Sequence, residues 1–519
     1  MQLKSPYRSR QKISRQTSIS AAVGGWNARD PVANMPPQDA ILMDNLFPTA
    51  SDVMLRKGED EHVTGISGQV ETLMAYLSPN GTEKLFCAAG TAFYDATTAG
   101  AVGAAVVSAL TNARWNSDIF TTTAATYLVN CNGADSVRYY DGSAWITING
   151  ISTPAITGVT TSTLIYPAVH KNRLWFVQDD TLTAWYLPTD AVGGAATAFR
   201  LNGVASKGGR LVAIGTWTLD AGIGVDDHWV AVTSEGQVIV YKGTDPSDAT
   251  KWGLVGVWNL GQPISGRPLL KWGGDLLLAL KEGVYPLAKA LISAELDPRV
   301  ALTDKIRQAM SDAATLYGSN FGWQMIHYPS ADMLLLNVPI STGAGQHQYA
   351  MNTITGAWGR FKGVDANCWC IFGGEPYFGG NGYVGKFWGT FDDNGNNIEA
   401  DLKQAFNYFG ARGVLKDFKD IRPTFASNGS PSILAALNVD YQDDDPTGTL
   451  SFTPTSYGLW NAAVWDVGIW GGGLSPFSEW QGVGGTGTCA ALRMKVAASG
   501  IEVRHQATDF LYENGGVIG

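Results

Sequence analysis

KGGRLVAIGTWTLDAGIGVDDHWVAVTSEGQVIVYKGTDPSDATKWGLVGVWNLG, residues 207–261, decides the fold class. Four apolar runs, at 211–217, 229–233, 238–241 and 254–258, are separated by polar turns at 220–227, 234–237 and 244–249. Each run is short and rich in Val, Ile, Trp or Tyr, residues that pack well on a pleated surface. None is long enough for an amphipathic helix. Four antiparallel strands in ~50 residues make one blade-sized sheet of a β-propeller. A single sheet of this kind cannot cover both of its own faces, so it demands similar neighbours.

Such neighbours run along the chain. Strand-like sets occupy 71–96, 117–148, 168–187, 269–287, 324–361 and 368–388. Their ends rhyme: YYDGSAW (139–145), DPSDATKW (245–252) and NTITGAW (352–358) each place a polar turn just before a Trp. An inward aromatic at that point ends one sheet and wedges it against the next. The expected fold is all-β. It has an N-terminal arm and extended strap (1–66), a β-propeller of six or seven blades (67–400) and a C-terminal β-sandwich-like domain (401–519).

Three stretches depart from the repeat. Residues 27–58 are broken by Pro31, Pro36, Pro37 and Pro48 and read as a strap on another surface, ending in a turn at Lys57-Gly58. Residues 302–316, LTDKIRQAMSDAATL, read as the one strong helix, with Thr303 as cap and Ile306, Met310 and Ala313 along one face. That helix either packs on its own blade or projects towards a neighbouring subunit, with Ile306 and Met310 as the contacts. Beyond 401, strands are expected at 432–439 and 493–496, aromatic residues recur from Trp460 to Trp470, and the Gly-rich 482–487 reads as a loop.

Charge narrows the function classes. With 36 Lys and Arg against 46 Asp and Glu, the net charge is −10. Gripping nucleic acid needs basic residues that displace counterions, and this balance argues against it. The local exception is the N-terminal arm, where Lys4, Arg8, Arg10, Lys12 and Arg15 precede any acid. It reads as a solvated tail or as an arm docking on an acidic protein surface. No apolar run reaches the length of a membrane span, and no signal-peptide core opens the chain, so synthesis in the cytoplasm is expected. The five Cys are scattered, which argues against a disulfide framework. Cys368 and Cys370 fall on one face of a strand; without a second Cys/His pair they read as buried thiols and not as a metal site.

Catalytic signatures are sparse. There is no phosphate loop of the Gly-Lys-Ser/Thr type, no dinucleotide fingerprint, no HExxH and no nucleophile elbow. Asp226-Asp227-His228 reads as a hairpin entrance, with a carboxylate site as the rival. Asp440 with Asp443, Asp444 and Asp445 reads as a charged turn, with a hard-cation site as the rival, although the spacing does not match a calcium loop. Asp392-Asp393-Asn394-Gly395 reads as a hairpin turn. No catalytic, cofactor-binding or metal residue is assigned.

Several long passages resemble a known family. PPQDAILMDNLFPTASDVMLRKG (36–58), HKNRLWF (170–176), TLTAWYLPTDAVGGAA (181–196), GTWTLDAGIGVDDHWVAVTSEGQVIVYKGTDP (215–246) and GGDLLLALKEGVYPL (273–287) are similar to tail hub, or nozzle, structural proteins of short-tailed bacteriophages. The resemblance spans about residues 25–400. It implies a propeller-bearing subunit in a six-fold ring below the portal and adaptor. That ring extends the DNA channel, carries fibres or spikes and passes DNA without specific binding. It implies no catalytic residue and no cofactor, and a location in the virion tail. An acidic subunit fits that task, since a basic lumen would retain phosphates. The rival readings are a receptor-binding propeller at the tail tip and a glycan-degrading propeller enzyme. The latter needs paired carboxylates about a scissile bond.

Overall fold

A strand that buries both faces must deliver alternate side chains to two different neighbours, and 229–233 does so. Trp229 and Ala231 pack with Trp175 and Ala184 of one adjacent sheet. Val230 and Val232 pack with Leu276 and Leu278 of the other. The next strand repeats the division, with Ile239 and Tyr241 on the first side and Val238 and Val240 on the second.

The computed structural model describes residues 14–218, 227–292, 297–341, 343, 345–450 and 474–517. It is an all-β chain that divides into two compact units. The larger comprises 59–353 and 361–389; the smaller comprises 1–58, 354–360 and 390–519. The boundary therefore falls at 58/59, not at 66/67. The strap is grouped with the C-terminal part of the chain.

The larger unit has a propeller-like arrangement of antiparallel sheets. Three of them are four-stranded meanders: Asn116–Thr121 to Trp145–Ile148, Leu164–His170 to Thr197–Arg200, and Leu211–Thr218 to Trp252–Asn259. Leu269–Trp272, Asp275–Leu280 and Gly283–Pro286 form a three-stranded set. Gln324–Tyr328, Met333–Val338 and His347–Asn352 follow.

The ends of the unit meet in one strand, Glu59–Leu77. Its first half pairs with Asn381–Phe387 and its second half with Glu83–Ala89. The switch falls between Gln69 and Val70, just after Gly68, whose φ of +93° a side-chain-bearing residue rarely adopts. A cluster containing Leu73, Leu85, Cys368 and Val384 packs the first and last sheets together.

Two of the three Trp wedges, Trp145 and Trp252, work in the opposite sense to the sequence expectation. Trp145 packs on Phe86 and Phe93 of the preceding sheet, at ring separations of 5.0 Å each. Trp252 stacks on Trp175, also of the preceding sheet, at 5.9 Å. The Trp opens the outermost strand of its own sheet, so its ring reaches back.

Two expectations about the helix change. The α-helix is Arg307–Tyr317, preceded by a 3-10 turn at Asp304–Ile306. Thr303 does not cap it: its hydroxyl accepts the Val284 N–H at 3.1 Å. Ile306 and Met310 are fully buried, so neither is a surface available to a partner. The exposed face carries Gln308, Ser311, Asp312, Thr315 and Leu316 instead.

In the smaller unit, Val503–Val517 and Val414–Ser427 pair along most of their length. Ser14–Ser20 and Val53–Leu55 pair with the former, and Ser475–Ser478 and Gln481–Gly487 with the latter. The 482–487 segment is thus a strand and not a loop. A second set joins Asp39–Asp44, Ile398–Gln404, Ala490–Ala498 and Ser432–Val439. Phe418 and Tyr512 of the first set pack with Val439 and Ala490 of the second. The strap is therefore built of sheet strands, pinned by Arg56. That buried guanidinium donates to Asp393 at 2.6 Å and to Asn45 at 2.9 Å.

Candidate functional site, the axis of the larger unit

The first strand of each sheet in the larger unit faces a common polar interior. Two adjoining cavities of about 380 and 480 Å³ share Ser117, Tyr166, Leu269 and Lys271 in their walls. Cys368 apart, the polar side chains here carry no signal in the sequence, because each sits inside an ordinary-looking strand or beside one.

Most of these side chains bond to the backbone of the next strand round. Thr72 donates to Ala113 O at 2.7 Å and accepts the Trp115 N–H at 3.0 Å. Asn116 donates to Ile165 O at 2.8 Å. Asp118 accepts the Val169 N–H at 3.0 Å, and Thr216 donates to Val169 O at 3.0 Å. Gln324 makes a two-way clasp with Trp369, donating to its carbonyl at 2.8 Å and accepting its N–H at 3.0 Å. Cys368 Sγ lies 3.4 Å from Val70 O, across the closure.

Arg267 crosses this interior. Its guanidinium meets acceptors from three different sheets: Glu71 O and Thr72 Oγ1, Trp115 O and Asn116 Oδ1, and Gln324 Oε1. A planar five-donor fork suits such a junction, where one ammonium would not reach every acceptor. The group lies over the Phe321 ring at 5.2 Å.

The electrostatics follow from burial. Burial raises Asp118 to about 6, against the two backbone N–H groups and Lys271, which favour its anion. Burial lowers His170 to about 4, so its imidazole is neutral at pH 7. Thr216 gives its own proton to Val169 O, so His170 Nδ1, 2.9 Å away, is the donor of that pair. Burial also lifts the Cys368 and Cys370 thiols to about 12, which keeps both protonated and poor as ligands or nucleophiles.

The sites flagged by sequence are dispersed. Lys4, Arg8, Arg10 and Lys12 lie outside the described residues, as do Asp226 and Trp460 to Trp470. Arg15 is exposed on Ser14–Ser20, which is a strand along Val503–Val517 and not a tail. Asp227 pairs with Lys171 at 3.1 Å and accepts from Thr218. Asp443 faces Lys403 at 2.8 Å, and Asp445 faces Lys495 at 2.8 Å and Arg493 at 3.3 Å. Asp440 accepts from the Thr488 N–H and hydroxyl. These carboxylates are each matched to protein donors. Among the described residues no group of three or more His, Cys, Asp or Glu is arranged to hold a metal ion. The Asp392–Gly395 turn has a second role, because Asp393 is the partner of Arg56.

No family model and no curated protein matches this chain. Solved structures do. The Cps50 (Swd1) β-propeller domain of Myceliophteria thermophila aligns at 13% identity and a TM-score of 0.40, covering 64% of this chain and 100% of that one. BBS1N in complex with ARL6DN aligns at 9% and 0.38, covering 65% and 99%. An exo-beta-1,3-galactanase from Phanerochaete chrysosporium with galactose aligns at 9% and 0.24, covering 76% and 95%. At these values the likenesses bear on neither partner nor chemistry.

Proposed function

We propose that this chain is a structural subunit of a short-tailed bacteriophage tail. In this reading copies form a ring-shaped nozzle or hub that continues the DNA-ejection channel below the portal and adaptor and anchors fibres or spikes. The larger unit is read as a closed propeller of seven blades, with residues 59–69 as the outer strand of the last. The smaller is read as a two-layer β-sandwich into which the strap is woven.

The state of the axis supports the scaffold reading best. Several of its polar groups tie neighbouring strands together, and Arg267 crosses the interior. Cavities of about 380 and 480 Å³ leave no room for a duplex. A channel for DNA is then the hole in a ring of copies, not the axis of one propeller. The net charge of −10 suits a surface past which phosphates slide.

An oligomer needs a surface to spare, and the outermost strand Trp252–Asn259 offers one. It carries no charge, and Leu254 and Val255 are 48% and 50% exposed. Natural edges of this kind are otherwise blunted with charges or proline. The outer segment 59–69, by contrast, holds Glu59, Asp60 and Glu61.

Electron microscopy tests the reading. Virions with this subunit labelled are expected to show the label on a ring with a central hole. A protein absent from virions, and monomeric both alone and with its adaptor, overturns it.

A further inference from the structure

A third cavity, of about 400 Å³, opens between four successive sheets of the larger unit. Its charged lining is Arg114, Arg210, Lys281 and Asp179, three cations to one carboxylate. That reverses the balance of a chain with 46 acids and 36 bases. Arg114 is occupied, bonded to Glu71 at 2.9 Å and stacked over Phe321 at 4.6 Å. The other two cations are not. The exposed Arg210 has no ion-pair partner among the described residues, and Lys281 gives one 2.7 Å bond to the neutral Gln262. Ser234 and Ser265 add hydroxyls to the wall.

A guanidinium and an ammonium lining one cavity, with Ser hydroxyls in its wall, are matched by two or three oxygens that share a negative charge. We infer that this cavity binds an oxyanion, the phosphate or carboxylate group of a small ligand, held between Arg210 and Lys281. The volume admits one such group with a short attachment, not a folded segment. Glu235 and Glu282 follow the cavity-lining Ser234 and Lys281 in sequence without lining the cavity themselves. They set an electrostatic threshold that a neutral ligand would not feel.

Titration calorimetry on the full chain at low salt tests this, with inorganic phosphate, pyrophosphate and a tetraglutamate peptide as probes. At least one probe is expected to bind one to one, with Kd about 1 mM or tighter. Binding is expected to weaken about tenfold or more in R210A/K281A and to strengthen severalfold in E235Q/E282Q. Raising NaCl to about 0.5 M is expected to abolish it. Preference for pyrophosphate or for the peptide tells a phosphate ligand from a carboxylate one. All four positions are exposed, so the variants fold. No heat from any probe up to about 10 mM, or equal affinity in R210A/K281A, overturns the inference. So does binding of duplex DNA when none of the three probes binds.

Discussion

Arg267 Nη2 donates to Thr72 Oγ1 at 2.7 Å, joining residues 195 positions apart in the chain. Thr72 is already bonded to the backbone at 113 and 115, so this one contact fastens three sheets. Replacing Arg267 by Met fills the space but strands several buried acceptors, each costly to leave unmet. Arg267→Met is expected to cost about 3 kcal/mol or more in urea unfolding of the larger unit followed by Trp fluorescence. Arg267→Lys, with no fork, is expected to recover less than half of that. A loss under about 1 kcal/mol for Met would show that the junction is not a fastening.

Acid sensitivity follows from two buried imidazoles. His170 and His505 are both lowered by burial to about 4. A lowered folded value means that the stabilising share is complete above the unfolded value, near 6.5, and is lost as pH falls through about 4. Each share is about 3 kcal/mol. Asp118 runs the other way. Raised by burial to about 6, its share is complete below its unfolded value of 3.8 and is lost as pH rises through about 6. Between pH 4 and 6 one carboxylate therefore offsets part of what two histidines lose. The acid limb of a stability–pH profile is expected to flatten in His505→Gln and to steepen in Asp118→Asn. Profiles parallel to that of the unsubstituted protein would contradict both assignments.

Assembly should depend on the bare outer strand. Leu254→Lys and Val255→Lys place a charge on exposed positions and are expected to change monomer stability by no more than about 0.5 kcal/mol. The same substitutions are expected to lower ring yield severalfold in sedimentation velocity. Rings formed at normal yield would remove this edge from the interface.

The strap should come loose without disturbing the larger unit. Arg56 is fully buried and bonds Asp393 and Asn45. Arg56→Ala leaves that carboxylate without its cation and is expected to cost the smaller unit about 3–5 kcal/mol. Limited proteolysis is expected to cut near residues 45–58 first, while the unfolding transition of the larger unit keeps its midpoint. Unchanged protease resistance would show that the strand pairing at Val53–Leu55 suffices.

Local pattern determined the class of this protein. Short β-branched and aromatic runs, the turns between them, and alternation such as Trp229, Val230, Ala231 and Val232 follow from a two-residue period, which is written in the chain itself. The same period made 482–487 hard to read, because a Gly-rich segment carries no side-chain alternation although it pairs along Val414–Ser427.

Tertiary structure decided the rest. Which sheet meets which, and that Glu59–Leu77 serves both the first and the last, depends on pairings some 300 residues apart that no window of sequence contains. The roles of Arg267, Arg56 and Arg210 were invisible for the same reason. A guanidinium is a junction, a pin or an open site according to the acceptors folding brings to it, and for Arg267 and Arg56 those acceptors come from residues far apart in the chain.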